Sequence, residues 1–370
     1  MQTIANKSLA KIKATYLRYL RRFDKHVSII PTISYFSPQS GWFSAFDQFK
    51  QNSENGMIIS NDQGQGQNAE NSLARLYNKN QHFSKNWPFF WLLITNARLV
   101  GGLRIWRNTE NKGVLEGSFN CTERLGIRDG QGIGRYWLAP ERKLPGPWTS
   151  IISNWGTGNN YYHWMIDCLG RLAALEHLPE FPKIIIPISD YPFVSESLEM
   201  LGLIDRCETH DEPCVRPERF YFISPPADTG KWNPIAYAWL EQKFSPYFSK
   251  ENGSRRLFFT RVGSNRIPDN ISQIENIFIN EGFEIIDCGK LTLREQILIS
   301  SSASIIAGLH GAAMTNILWT KDNTKIIEIF QEDYLNSCYE QIAFYKGIKY
   351  NYIINNNKSI NSNILTAINS

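Results

Sequence analysis

Three clusters in this 370-residue chain combine the residue types and spacings that chemistry needs. The first is NNYYHWMIDCLGR at 159–171. His163, Asp167 and Arg171 recur every four residues, which puts them on one stripe of a helix. The positions between them (Trp164, Met165, Ile166, Leu169) are apolar, so the helix reads as buried. Burying three ionisable groups costs roughly several kcal/mol unless they pair or face a wet cleft. One reading is an acid/base group, Asp167 ahead of His163, that takes a proton in a cleft while the other member and Arg171 orient and tune it. The plain alternative is an ion-pair network that only orders the helix. The H-x-x-x-D spacing could also chelate a metal, but the neighbouring residues supply no third ligand.

The second cluster, SIIAGLHGAAMTN at 304–316, runs an apolar strand into a turn of small residues and then a helix. Gly311, Ala312 and Ala313 allow a ligand close to the backbone, and their amides at a helix N-terminus favour an anion such as a diphosphate. His310 stands at the turn. The third cluster, RRLFFTRVGSNRIPDN at 255–270, has a strand delivering Arg261 and then Arg266 into a loop. Ligands of parallel sheets sit beyond the C-terminal strand ends, and guanidinium forks suit a diphosphate. Gly130, Gly132 and Gly134 form G-x-G-x-G, but no helix opens after them, so a dinucleotide fingerprint is not expected.

The elements that must position these clusters alternate. Residues 88–140 read as short β segments. From about 150 the pattern is helix 160–178, strand 183–188, helix 194–202 and strand 220–224, interrupted by Pro225-Pro226. A helix at 233–246 opens a second run: strand 256–260, helix 271–281, strand 284–287, helix 293–301, strand 304–307, helix 311–319 and strand 325–330. Such alternation predicts α/β architecture with mostly parallel sheets: two Rossmann-like halves facing a cleft, with a β-rich N-terminal portion. The Asn-rich tail 351–370 reads as a weak helix or a loose end. The expected division is an arm at 1–30, an N-terminal, acceptor-side domain at 31–226 and a C-terminal, nucleotide-binding domain at 227–370.

Length and composition agree with two domains at ~150 residues each, and the hydrophobic share of 42% excludes global disorder. No apolar run approaches the ~20 residues of a membrane span. Residues 1–29 hold Lys7, Lys11, Lys13, Arg18, Arg21, Arg22 and Lys25 against Asp24 alone, more positive charge than the formal +4 of the whole chain. Leu9, Ile12, Tyr16, Leu20 and Phe23 recur at helical steps, so this is a basic amphipathic helix. It either packs on its own domain or touches an anionic membrane surface. The body carries no basic stripe, and nucleic acid is not an expected partner. The six cysteines form no C-x-x-C pair, and the first 30 residues hold no continuous apolar core. Reduced thiols and a cytoplasmic location are therefore expected, at most peripheral to the inner face of the membrane.

The sequence resembles glycosyltransferase family 61, particularly its bacterial members linked to capsule and exopolysaccharide synthesis. The likeness covers about 97–335 and rests on Ala97-Arg98 with the β-rich segment after it, NYYHWMIDCLGRL at 160–172, FTRVGSNRIPDN at 259–270, Glu295-Gln296, GLHGAAMTN at 308–316 and Ile326-Ile327-Glu328. The family pattern often reads Leu-Pro-Arg where this chain has Leu169-Gly170-Arg171, so the helix kink is expected to differ. The resemblance implies a GT-B architecture and an inverting sugar transfer from a nucleoside-diphosphate donor, with a UDP-sugar expected, to a hydroxyl of a glycan or glycolipid acceptor. It implies no metal and no other cofactor. It also implies that Asn316 and Glu328 bind ribose or sugar hydroxyls. The rival expectations are a metal-dependent hydrolase using His163, Asp167 and His310, and a non-catalytic glycan-binding protein.

Overall fold

The computed structural model describes residues 28–30, 41–42, 89–95, 97–100, 105–108 and 113–115. From 140 to 370 it describes all but 154, 157, 228–232, 252, 262–266, 333 and 356–359. Residues 1–27 of the basic arm and Arg266 therefore lie outside the described residues, whereas Ser28–Ile30 form a strand.

The fold is mixed α/β, with two sheets rich in parallel pairing. The strands of the first sheet come from residues up to 223, those of the second from 255 onward, so the Pro225-Pro226 break falls between them. In the first sheet, strands Cys207–Thr209, Lys183–Ile186, Glu141–Ser150 and Cys214–Ile223 are adjacent and parallel in that order. Numbered along the chain, the order is third, second, first, fourth. The chain therefore reverses its direction of winding between Glu141–Ser150 and Cys214–Ile223, and such a switch point opens a crevice at the C-terminal strand ends. Strands Phe90–Thr95 and Ala97–Val100 extend this sheet by antiparallel pairing with Cys214–Ile223.

The second sheet is parallel throughout, in the order Glu284–Ile286, Arg255–Phe259, Ala303–Leu309, Lys325–Gln331, Lys349–Asn355. Its switch point lies between Arg255–Phe259 and Ala303–Leu309. Both faces are covered, as continuous apolar strands such as Ile326-Ile327 require. Phe258, Ala307, Ile327 and Ile353 pack with Ile274, Phe278, Ile360 and Ile364 from helices Ile271–Asn280 and Ile360–Asn369. Leu257, Phe259, Ile306 and Ile326 belong instead to a larger cluster that continues through Met314, Ile317 and Tyr237 to Trp164, Leu169 and Ile184 beside the first sheet. One apolar core thus runs between the sheets.

The tail takes the helical alternative and adds a strand that the sequence did not suggest. It forms the edge strand Lys349–Asn355 and helix Ile360–Asn369, with Ile353, Ile360, Ile364 and Ile368 buried. A pair of amide bonds between Asn270 and Asn355 ties it to the start of helix Ile271–Asn280. Helix Cys338–Lys346, unforeseen from the sequence, closes on Gly347 in the left-handed conformation.

The two halves are also joined by polar bonds. The buried Tyr161 hydroxyl donates to Asn316 Oδ1 at 2.9 Å and accepts from Trp319 Nε1 at 3.3 Å. Tyr161→Phe should strand both partners in the interior, at about 1–3 kcal/mol for an unmade buried bond. A drop of about 2 kcal/mol in unfolding free energy is expected from denaturant titration; an unchanged midpoint would show that water satisfies these atoms.

Candidate active site

The helix after strand Glu141–Ser150 is irregular. A single α-helical turn, Tyr161–His163, passes into a π-helical turn, Trp164–Cys168, and then into a 3-10 segment, Leu169–His177. The expected uniform helix over 160–178 is thus corrected. The Asn160 side chain caps its start by accepting from the His163 amide. The π turn is closed by the Leu169 amide donating to the Trp164 carbonyl, and such turns collect at functional sites. Trp164 anchors the segment, its Nε1–H donating to Ser197 Oγ at 2.9 Å. Gly170 lies where a Cβ would come within 3.2 Å of the Ala236 side chain, so the helix approaches Pro234–Phe244 closely.

Within this helix His163 Nδ1 and Asp167 Oδ2 are 2.8 Å apart. Asp167 is 2% exposed, whereas the His163 side chain keeps 17% of its surface. The carboxylate is therefore behind the imidazole, and the imidazole is the member that meets solvent. Arg171 is 1% exposed, and its Nε donates to the Asp167 carbonyl oxygen at 3.1 Å. Burial, the largest influence on it, lowers its pKa. Its place is inside the packed helix layer.

At the switch point of the second sheet, Arg261 follows strand Arg255–Phe259 and reaches across to strand Ala303–Leu309. Its Nη1 donates to the His310 carbonyl oxygen. Its guanidinium lies so close over Gly311 that a Cβ there would be 3.1 Å from Cζ. The expected helix at 311–319 is a 3-10 helix, Ala312–Trp319, whose first bond runs from the Met314 amide to the Gly311 carbonyl. The amides of residues 311–313 precede that bond, and Arg261 lies over Gly311, so turn and cation meet.

His310 Nδ1 bonds Glu328 Oε1, and Glu328 Oε2 accepts from the Tyr350 hydroxyl. Glu328 is fully buried, so its carboxylate orients His310 from beneath. Asn316 is also buried, with its Nδ2 donating to Gln296 Oε1 and its Oδ1 taken by Tyr161. Both side chains are buried and bonded within the protein.

Four rings join the two places. His163 meets Tyr162 edge-on at 5.3 Å between ring centres, Tyr162 meets Tyr339 at 5.6 Å, and Tyr339 meets His310 at 5.3 Å. The dyad and the arginine-bearing turn thus stand two tyrosine rings apart. Among the described residues, no group of three or more His, Cys, Asp and Glu is placed to hold a metal ion. The five described cysteines are free thiols, and burial pushes Cys168 up to about 12. No helix among the described residues is long and apolar enough to cross a membrane.

Tyr162 and Tyr339 were not foreseen as site residues. Tyr162 was visible only as one aromatic among many, and Tyr339 sits in the helix the sequence did not reveal.

An α/β protein with a histidine–carboxylate pair at one switch point and an arginine-lined turn at the other has the parts of a group-transfer enzyme. Residues 161–327 match the family model described as Glycosyltransferase 61. It is also similar to a beta-1,2-xylosyltransferase of Arabidopsis thaliana, with 35% identity over 60 residues. That match covers 16% of this chain and 11% of the relative, so the chain spans about a tenth of that protein's length.

Proposed function

We propose that this protein moves a sugar from a nucleoside-diphosphate donor to a hydroxyl of a glycan or glycolipid acceptor, with inversion at the anomeric carbon. The observation that carries the reading is the contact of His163 Nδ1 with the buried Asp167 carboxylate, two rings from Arg261 and its turn. A proton on Nδ1 given to Asp167 leaves Nε2 as the acceptor for a hydroxyl proton. This reverses the expected order of the pair: His163 is the base and Asp167 positions it. The acceptor oxygen bonds the anomeric carbon from one face as the carbon–oxygen bond to phosphate breaks on the other. The bonding electrons leave on the diphosphate. Arg261, His310 and the amides of residues 311–313 meet that developing charge, the work a divalent cation does in other transferases.

The same reading makes the fold GT-B-like, with residues 31–226 holding acceptor and 227–370 holding donor, a UDP-sugar in the first instance. On this reading the reaction is a step of surface polysaccharide synthesis in the cytoplasm, peripheral at most to the inner face of the membrane.

A thermal-shift panel of nucleoside diphosphates and their sugars tests the donor. Ligand at 100 times its Kd adds about 2.7 kcal/mol to stability by mass action, so a true donor should raise the melting temperature by several degrees. A panel in which no nucleotide shifts the transition would remove the proposal.

A further inference from the structure

The rim beside His163 carries aromatic surface that the fold does not use. Strands Glu141–Ser150 and Lys183–Ile186 are parallel neighbours, so the loops after them, 151–160 and 187–191, emerge side by side. The first loop is fastened at two points. The Cys168 thiol donates to the Gly156 carbonyl at 3.2 Å, and the Gly156 amide donates to Ser153 Oγ at 2.7 Å. A Cβ on Gly156 would stand 2.1 Å from Cys168 Sγ, so the loop is pressed onto the π turn that holds Asp167. Further along, the Ser189 hydroxyl donates to the Gly158 carbonyl and ties the two loops together.

From this fixed loop Trp155 projects with 50% of its surface exposed, and Tyr191 on the neighbouring loop is 51% exposed. The Trp155 indole lies 6.1 Å from the His163 imidazole with the planes 27° apart, a stacked arrangement. Half of the tryptophan's surface is thus open to solvent directly beside the imidazole, and aromatic surface next to a polar group is the usual lining of a small-molecule site.

We propose that Trp155 is the platform for the acceptor, and that the acceptor end is an uncharged pyranose ring. The C–H face of such a ring stacks on the indole, and a hydroxyl at its edge is then delivered to His163. Loop segments 153–160 and 187–191 contain Asp190 and no Lys or Arg, so an acidic or phosphorylated sugar finds no cation there. This inference rests on His163 being the base of the proposed transfer, but its test does not need turnover.

The test titrates methyl pyranosides into the full-length protein and its Trp155→Ala and Trp155→Phe variants, read by ligand-observed NMR without donor. Nucleoside-diphosphate affinity of the same samples is measured alongside. The expected result is saccharide binding by the wild-type protein, weakened about 10-fold or more in Trp155→Ala and largely kept in Trp155→Phe. Nucleotide affinity should be equal in all three. Equal saccharide binding by Trp155→Ala, no pyranoside binding by the wild-type protein, or tighter binding of an acidic sugar than a neutral one would overturn the proposal. So would a parallel loss of nucleotide affinity in Trp155→Ala, since the residue would then be a fold support. If pyranosides bind as expected but no nucleotide does, the platform stands and the transferase reading falls.

Discussion

His163→Ala should lower kcat by about 10²–10⁴-fold, the usual contribution of a positioned general base. The side chain is partly open and stacks on an exposed tryptophan, so its removal leaves the packed interior nearly intact. Asp167→Asn should act in the same direction for a different reason. The amide nearly preserves shape, but its neutral Oδ1 stabilises a charged imidazolium far less than a carboxylate at 2.8 Å does. Donor turnover, with unfolding curves measured on the same preparations, decides both. Folded variants turning over donor at the wild-type rate would eliminate the dyad from the chemistry.

Arg261→Ala is expected to cost roughly 10²–10³-fold in kcat/KM, comparable to losing one preorganised donor to a developing anion. Affinity for the bare nucleoside diphosphate should fall with it. Arg261→Lys should restore little, because the guanidinium spans from its own loop to the His310 carbonyl while facing Gly311, and an ammonium cannot hold both. An alanine variant that binds diphosphate as the wild type does would mean that the turn amides suffice.

Much of this arrangement could be read directly from residue patterns, wherever local pattern and tertiary role coincide. The run Ile184-Ile185-Ile186 can only be a strand buried on both faces, and helix Leu293–Ser301 is announced by its Thr292/Glu295 capping box. The i, i+4 spacing of His163 and Asp167 became a contact even though the helix between them is not α-helical. What stayed hidden has physical causes. Strand Glu141–Ser150 contains Pro145-Gly146-Pro147, which reads as a turn; tertiary pairing accommodates it, with Gly146 at positive φ and its amide bonded to Glu218. The tail's asparagines look like a loose end because an edge strand pairs on one side only. The burial of Asp167 behind His163 could not be read at all. Spacing reports which side chains meet, whereas depth below the surface is decided by neighbours from distant segments.

The π turn at Trp164–Cys168 has a consequence for how such a chain can vary. A π turn is one residue longer than the α turn it replaces, and each residue of an α-helix advances the next by about 100°. Excising any single residue between His163 and Asp167 would relax the wide turn into an ordinary one and bring the pair from i, i+4 to i, i+3, a spacing that still shares a helix face. The meeting of imidazole and carboxylate therefore does not depend on the extra residue of the wide turn.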